Sequence, residues 1–108
     1  MAIELNRENF DEKVLESEEP VLIDFWGPQC GPCIALNPFV EKIQEEYQGK
    51  IKVAKVNAAE NRMLCAKLRV LGLPTFLLYI NGEETQRITG NDVTKSNIVS
   101  AIHDALEK

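Results

Sequence analysis

The run Val21-Leu22-Ile23-Asp24-Phe25-Trp26, opened by Pro20, constrains this chain more than any other segment. It is almost wholly apolar and does not alternate, which suits a central strand buried on both faces; such a strand needs a layer of helices on each side. The remaining sequence supplies them. Ile3 to Leu5 reads as a short edge strand, and Asn6 as the N-cap of a helix to about Ser17 with Phe10, Val14 and Leu15 turned inward. A Gly/Pro-punctuated stretch, Gly27 to Pro32, leads into a helical pattern ending near Tyr47, with Leu36, Phe39, Val40 and Ile43 apolar and a kink expected at Pro38. Gln48-Gly49 ends it, Ile51 to Val56 is a further strand, and Glu60 to Leu68 a shorter helix. Thr75 to Ile80 and Glu83 to Thr89 flank Asn81-Gly82, a strong hairpin signal, with the second, more polar strand at an edge. Thr94 can cap a last helix in which Ile98, Ile102 and Leu106 recur. The order β-α-β-α-β-α-β-β-α predicts an α/β fold: a mixed sheet of about five strands flanked by four helices.

Composition narrows the function. At 108 residues, 44% of them hydrophobic, the chain is expected to form one domain over 1–108 with no need of metal or disulfide staples. A formal net charge of -5 argues against nucleic acid as a partner and offers no basic patch for an anionic membrane. The first twenty residues hold seven acidic ones and no apolar run of the kind a secretory signal needs, so a cytoplasmic location is expected. Three cysteines, an odd number, do not make a structural disulfide framework in a reducing compartment.

Two of them, in Trp26-Gly27-Pro28-Gln29-Cys30-Gly31-Pro32-Cys33, sit between the buried strand and the start of a helix. A spacing of three across a first helical turn puts both sulfurs on one side, within disulfide reach. Pro32 suits that turn, where its missing N–H is no loss. The unpaired N–H groups and the helix dipole favour a thiolate over a thiol at Cys30. Such a thiolate attacks a disulfide, and Cys33 then resolves the mixed disulfide. A zinc site would need two more ligands, and only Cys65 and His103 remain, neither suitably spaced. Iron–sulfur clusters fail by cysteine count, and Ile34 in place of His excludes c-type haem attachment. No metal and no bound cofactor is expected; redox chemistry is.

The whole chain resembles the thioredoxin family, whose members are themselves a standard example of a CxxC thiol made acidic by its surroundings. The resemblance rests on Asp24-Phe25-Trp26, Cys30-Gly31-Pro32-Cys33, Pro38, Ala54-Lys55-Val56-Asn57, Gly72-Leu73-Pro74-Thr75, Asn81-Gly82 and Gly90, in order and at family spacing. It implies that Cys30 is the exposed nucleophile and Cys33 the buried resolving thiol. Asp24 matches a buried carboxylate that moves the resolving thiol's proton, a role to which a pKa raised by desolvation is suited. Lys55 matches a lysine near that carboxylate, Pro74 a cis-proline opposite the disulfide, and Trp26 a residue packed beside the site. Gly72, Leu73 and Gly90 would line a shallow apolar contact surface. Disulfide-bearing proteins are the implied substrates of a monomer, and a separate reductase, flavin- or ferredoxin-linked, the implied electron source.

Two departures from the pattern bear on partners. Gln29 stands where the family usually has Trp, and Ile34 where it usually has Lys. The first weakens apolar substrate contact; the second removes a cation that favours the Cys30 thiolate and offers an apolar anchor instead. Cys65 reads as an apolar filler and His103 as a surface histidine. A thioredoxin-fold oxidant or isomerase, and a docking module with an incidental dithiol, remain as alternatives.

Overall fold

The computed structural model describes residues 2–107. Val21–Trp26 forms the middle strand, β2, of a five-stranded mixed sheet. The other strands are β1 (Ile3–Glu4), β3 (Lys52–Asn57), β4 (Thr75–Ile80) and β5 (Glu83–Thr89), in the order β1-β3-β2-β4-β5. β2 runs parallel to β3, which is parallel to β1, and antiparallel to β4; β4 and β5 form the antiparallel hairpin. Both expected edge strands lie at edges. Three α-helices, α1 (Gly31–Glu46), α2 (Arg62–Lys67) and α3 (Lys95–Leu106), and a π-helical segment, Asp11–Leu15, cover the sheet.

Strand alternation sorts the core into two layers. Val21, Ile23 and Phe25 of β2 pack with Phe10, Val14, Leu64 and Cys65, under the π-helical segment and α2. Leu22 faces the other way, into a cluster with Val40 and Ile43 of α1 and Ile98 and Ile102 of α3. Both faces of β2 are therefore apolar except at Asp24. Each fully buried large side chain in this strand contributes about 2–3 kcal/mol by leaving water.

Two sequence expectations change. The segment after Asn6 is capped as expected: the Asn6 side chain accepts from the N–H groups of Glu8 and Asn9 at 2.8 and 2.9 Å, and the Asn9 side chain accepts from Asn6 N–H at 2.8 Å. It does not continue as an α-helix to Ser17. Glu16 N–H donates to the Asp11 carbonyl, five residues back, and this wider turn leaves Leu15 40% exposed instead of inward. Leu106, expected inward, is 36% exposed at the last residue of α3, whose buried stripe ends at Ala105. The Asn81-Gly82 turn has both residues at positive φ, 52° and 80°, the signature of a two-residue type I′ hairpin. Gly82 is required twice over, because a Cβ there would meet the Leu15 carbonyl oxygen at 2.8 Å. No helix among the described residues is long and apolar enough to cross a membrane.

Candidate active site

The site forms where β2 ends and α1 begins. Cys30 is the N-cap of α1 in extended conformation, with Pro32 in the first turn, and its N–H donates to the Gly27 carbonyl at 3.0 Å. Cys33 lies one turn on, buried at 1% exposure, while Cys30 is half-buried. The two are joined in a disulfide with Cα atoms 5.3 Å apart. Cys33 N–H donates to Cys30 Sγ at 3.2 Å. That contact shows what a Cys30 thiolate would meet: a backbone donor at the positive end of a sixteen-residue helix that carries no acidic residue in its first turn.

Asp24 is on the same face of β2 as Leu22, the face that α1 covers. It is 2% exposed, and its Oδ2 has no hydrogen-bond partner. Burial pushes its pKa up from 3.8 to about 6, against a smaller downward pull from the Lys55 charge. Lys55 is Asp24's register partner on β3, as expected, but the two do not form an ion pair. The Lys55 ammonium donates instead to Asn37 Oδ1 at 2.8 Å and sits 5.4 Å from the Trp26 ring centre. Asn37 is the residue that the sequence reading missed. It lies four positions after Cys33 on α1, so the helical period alone places it on the same face one turn further on. Trp26 is half-buried with its Nε1 also unpartnered; it belongs to this inner layer rather than to the rim of the cysteine cleft.

Around Cys30 runs a shallow, largely apolar cleft lined by Gly27, Pro28, Gln29, Cys30, Ala58, Ala59 and Leu73. Gly27 packs closely there: an added Cβ would approach Leu73 Cδ1 at 3.1 Å, and the leucine would have to give by a few tenths of an ångström. Ala58 is held at the rim by its N–H bond to the Trp26 carbonyl at 2.8 Å. The Leu73–Pro74 peptide is cis, as the family resemblance implied. Pro74 is buried, and its carbonyl accepts from Gly90 N–H at 3.1 Å. Gly72, Leu73 and Gly90 line an adjoining depression, so Leu73 is common to both. Ile34 is 48% exposed but lines neither. Among the described residues, no group of three or more His, Cys, Asp or Glu side chains is arranged to hold a metal ion. Cys65 is a buried free thiol in the core beneath α2, and His103 is exposed, in contact with the Tyr47 hydroxyl at 3.1 Å.

The loop between α2 and β4 is fastened from outside. Arg87 of β5 donates to the carbonyls of Leu68 and Arg69, each at 2.8 Å, and is itself held by both carboxylate oxygens of Glu84. These carbonyls follow the end of α2, where backbone acceptors lack helical partners. The clamp thereby sets the start of the segment that carries Gly72, Leu73 and Pro74.

Comparison with known proteins agrees with this arrangement. The thioredoxin family model matches residues 1–104. The chain is 37% identical over 102 residues to a thioredoxin of Peptoclostridium acidaminophilum, covering 94% of this chain and 93% of that one. It is 38% identical over 98 residues to a thioredoxin of Synechocystis, covering 91% of each. It is 39% identical over 103 residues to the chloroplastic M-type thioredoxin of spinach, covering 95% of this chain and 56% of that one.

Proposed function

The chain belongs to the thioredoxin family of thiol–disulfide oxidoreductases, and on that premise we propose that it acts as a dithiol reductant of protein disulfides through Cys30, Cys33 and Asp24. In the reduced protein the Cys30 thiolate attacks one sulfur of a substrate disulfide. A mixed disulfide forms and the other substrate sulfur leaves as a thiolate. Cys33 then loses its proton to the Asp24 carboxylate and attacks Cys30 Sγ. The second substrate thiolate leaves and takes up a proton, and the Cys30–Cys33 disulfide closes. Two electrons have passed to the substrate, and a separate reductase, flavin- or ferredoxin-linked, must return them.

The asymmetry of the pair carries this reading: a half-exposed sulfur at a helix N-terminus, and a partner sulfur buried one turn on. A substrate disulfide can be reached only by the first. Asp24 is suited to its step because a carboxyl with a pKa of about 6 accepts and returns a proton near neutrality. Gly31 and Pro32 shape the first turn of the helix, Trp26 and Lys55 build the layer around Asp24, and Pro74 sets the strand entrance. Gln29, Leu73, Gly72, Gly90 and the exposed Ile34 meet the substrate. We assign the chain as one thioredoxin domain over 1–108, a monomer working in the cytoplasm, without bound cofactor.

The test is trapping. Cys33→Ser should accumulate a mixed disulfide with a disulfide-bearing protein, and Cys30→Ser should not. Equal trapping by both variants, or preferential alkylation of Cys65 in the reduced protein, would remove Cys30 from the role of nucleophile.

A further inference from the structure

The charge of this chain is unevenly distributed. Its net charge is -5, yet residues 61–82 contain Arg62, Lys67 and Arg69 and no Asp or Glu. All three cations are exposed, and none has an ion-pair partner among the described residues. They belong to α2 and the turn that follows it, where Arg69 adopts a positive φ of 58°. The acids that border the patch are Glu8 and Glu60, which line a depression with Arg7, Arg62 and Met63, and Glu84, which is already engaged by Arg87.

Two apolar side chains stand in the same patch. Leu71 is 94% exposed and Met63 67%, the two most exposed of the large hydrophobic side chains among the described residues. Leu71 lies between two shallow depressions, one lined with Arg69, Gly72, Arg87 and Gly90, the other with Arg62, Cys65 and Ala66. Leu73 lines both of these and the Cys30 cleft as well, so the patch is continuous with the surface at which the disulfide is attacked. Full exposure of a leucine at such a junction loses the burial that leucine ordinarily gains, and a side chain of this kind suits contact with a partner.

From this juxtaposition we infer that α2 and its following turn form a substrate-docking rim that selects disulfide-bearing protein segments rich in Asp and Glu, with Leu71 as the apolar anchor. The inference deepens the reductant reading and rests on it. It relocates apolar recognition: Gln29, beside Cys30, offers little apolar surface, and Leu71 supplies it from the opposite side of Leu73. The surrounding cations add steering and selectivity by charge, an effect that weakens with salt.

Two disulfide-bridged peptides, alike except for Glu or Lys at the positions flanking the bridge, provide the test. The reduced protein should reduce the Glu-flanked peptide with kcat/KM roughly tenfold above the Lys-flanked one, equivalent to about 1.4 kcal/mol, at low salt. The preference should sit in KM, shrink at high salt, and be lost or reversed in the double variant Arg62→Glu, Lys67→Glu. Leu71→Ser should raise KM for both peptides. A small uncharged disulfide, reduced in parallel by each variant, reports on folding and dithiol chemistry. Equal kcat/KM for the two peptides, or a preference that survives charge reversal, overturns the docking inference while reduction of the small disulfide continues. Failure on the small disulfide as well overturns the reductant reading, and the inference with it.

Discussion

Replacing Asp24 by Asn should stabilise the oxidised protein, and by an amount that depends on pH. Asp24 is 2% exposed, its Oδ2 is unpartnered, and its pKa is pushed from 3.8 to about 6. At ~1.4 kcal/mol per pH unit this displacement corresponds to about 3 kcal/mol of stability forfeited when the group is ionised. Below pH 3.8 the carboxyl is neutral in both the folded and the unfolded chain, and nothing is lost. Between 3.8 and about 6 the unfolded chain releases the proton while the folded chain keeps it, so the folded state loses stability as pH rises. Above about 6 the loss is complete. An amide in place of the carboxyl would keep the shape and remove the charge. Urea unfolding of the oxidised forms should therefore place Asp24→Asn up to about 3 kcal/mol above the parent at about pH 8 and near it at about pH 4, with the same m-value. Thermal midpoints at the higher pH should separate by roughly 10–20 °C for a domain of this size. A variant no more stable than the parent in mild alkali, or an advantage just as large in acid, would refute the account of a carboxyl ionised at a desolvation cost. On the proposed mechanism, such a carboxyl is tolerated because the resolving step needs a base.

Asn37→Leu should release the Lys55 ammonium from its 2.8 Å bond and let it turn toward Asp24, lowering the Asp24 pKa by about one pH unit; carboxyl chemical shifts followed against pH would show it, and an unmoved titration would exclude a positioning role for Asn37. Arg87→Leu should cost about 1 kcal/mol, since the group is part-exposed, and should raise amide hydrogen exchange at Leu71 and Gly72 more than in β4; uniform exchange would mean that the clamp is dispensable. The Glu84 carboxyl is held below the usual range by its hydrogen bond from Arg87, so the pair's contribution is present above the ordinary Glu pKa and is lost as pH falls through the lowered one. Gly82→Ala should cost about 1–3 kcal/mol in urea unfolding, from positive φ and the 2.8 Å approach to the Leu15 carbonyl, and no loss would show that the turn relaxes freely.

The legible parts of this fold are those encoded locally. The apolar run at β2, the Asn-Gly turn, the Thr94 cap and the CxxC at a helix start each depend on residues a few positions apart, and each lies where the sequence places it. Phe10 and Val14 mark an inward face, but a spacing of four fits an α-helix and a π-turn alike; only Leu15, expected inward and found 40% exposed, distinguishes them. In the site, burial of Asp24 was legible because a carboxylate inside an apolar strand has nowhere else to go. Asn37 was not, since one polar residue on an amphipathic helix looks like any solvated position until Lys55 is seen across from it. The Arg87 clamp spans eighteen and nineteen residues and leaves no periodic trace. Nor does composition reveal that Leu71 is exposed, because an apolar residue before Gly72-Leu73 resembles core.

The clamp has one more consequence. Arg87 grips main-chain oxygens, which every residue possesses, and asks nothing of the side chains at 68 and 69. The exposed tip beyond it, Leu71 and Gly72, holds side-chain positions that the clamp leaves free to vary, whereas Leu73 packs against the core and lines the Cys30 cleft. On the proposed docking role, changing the tip alone would retarget one dithiol chemistry to new clients.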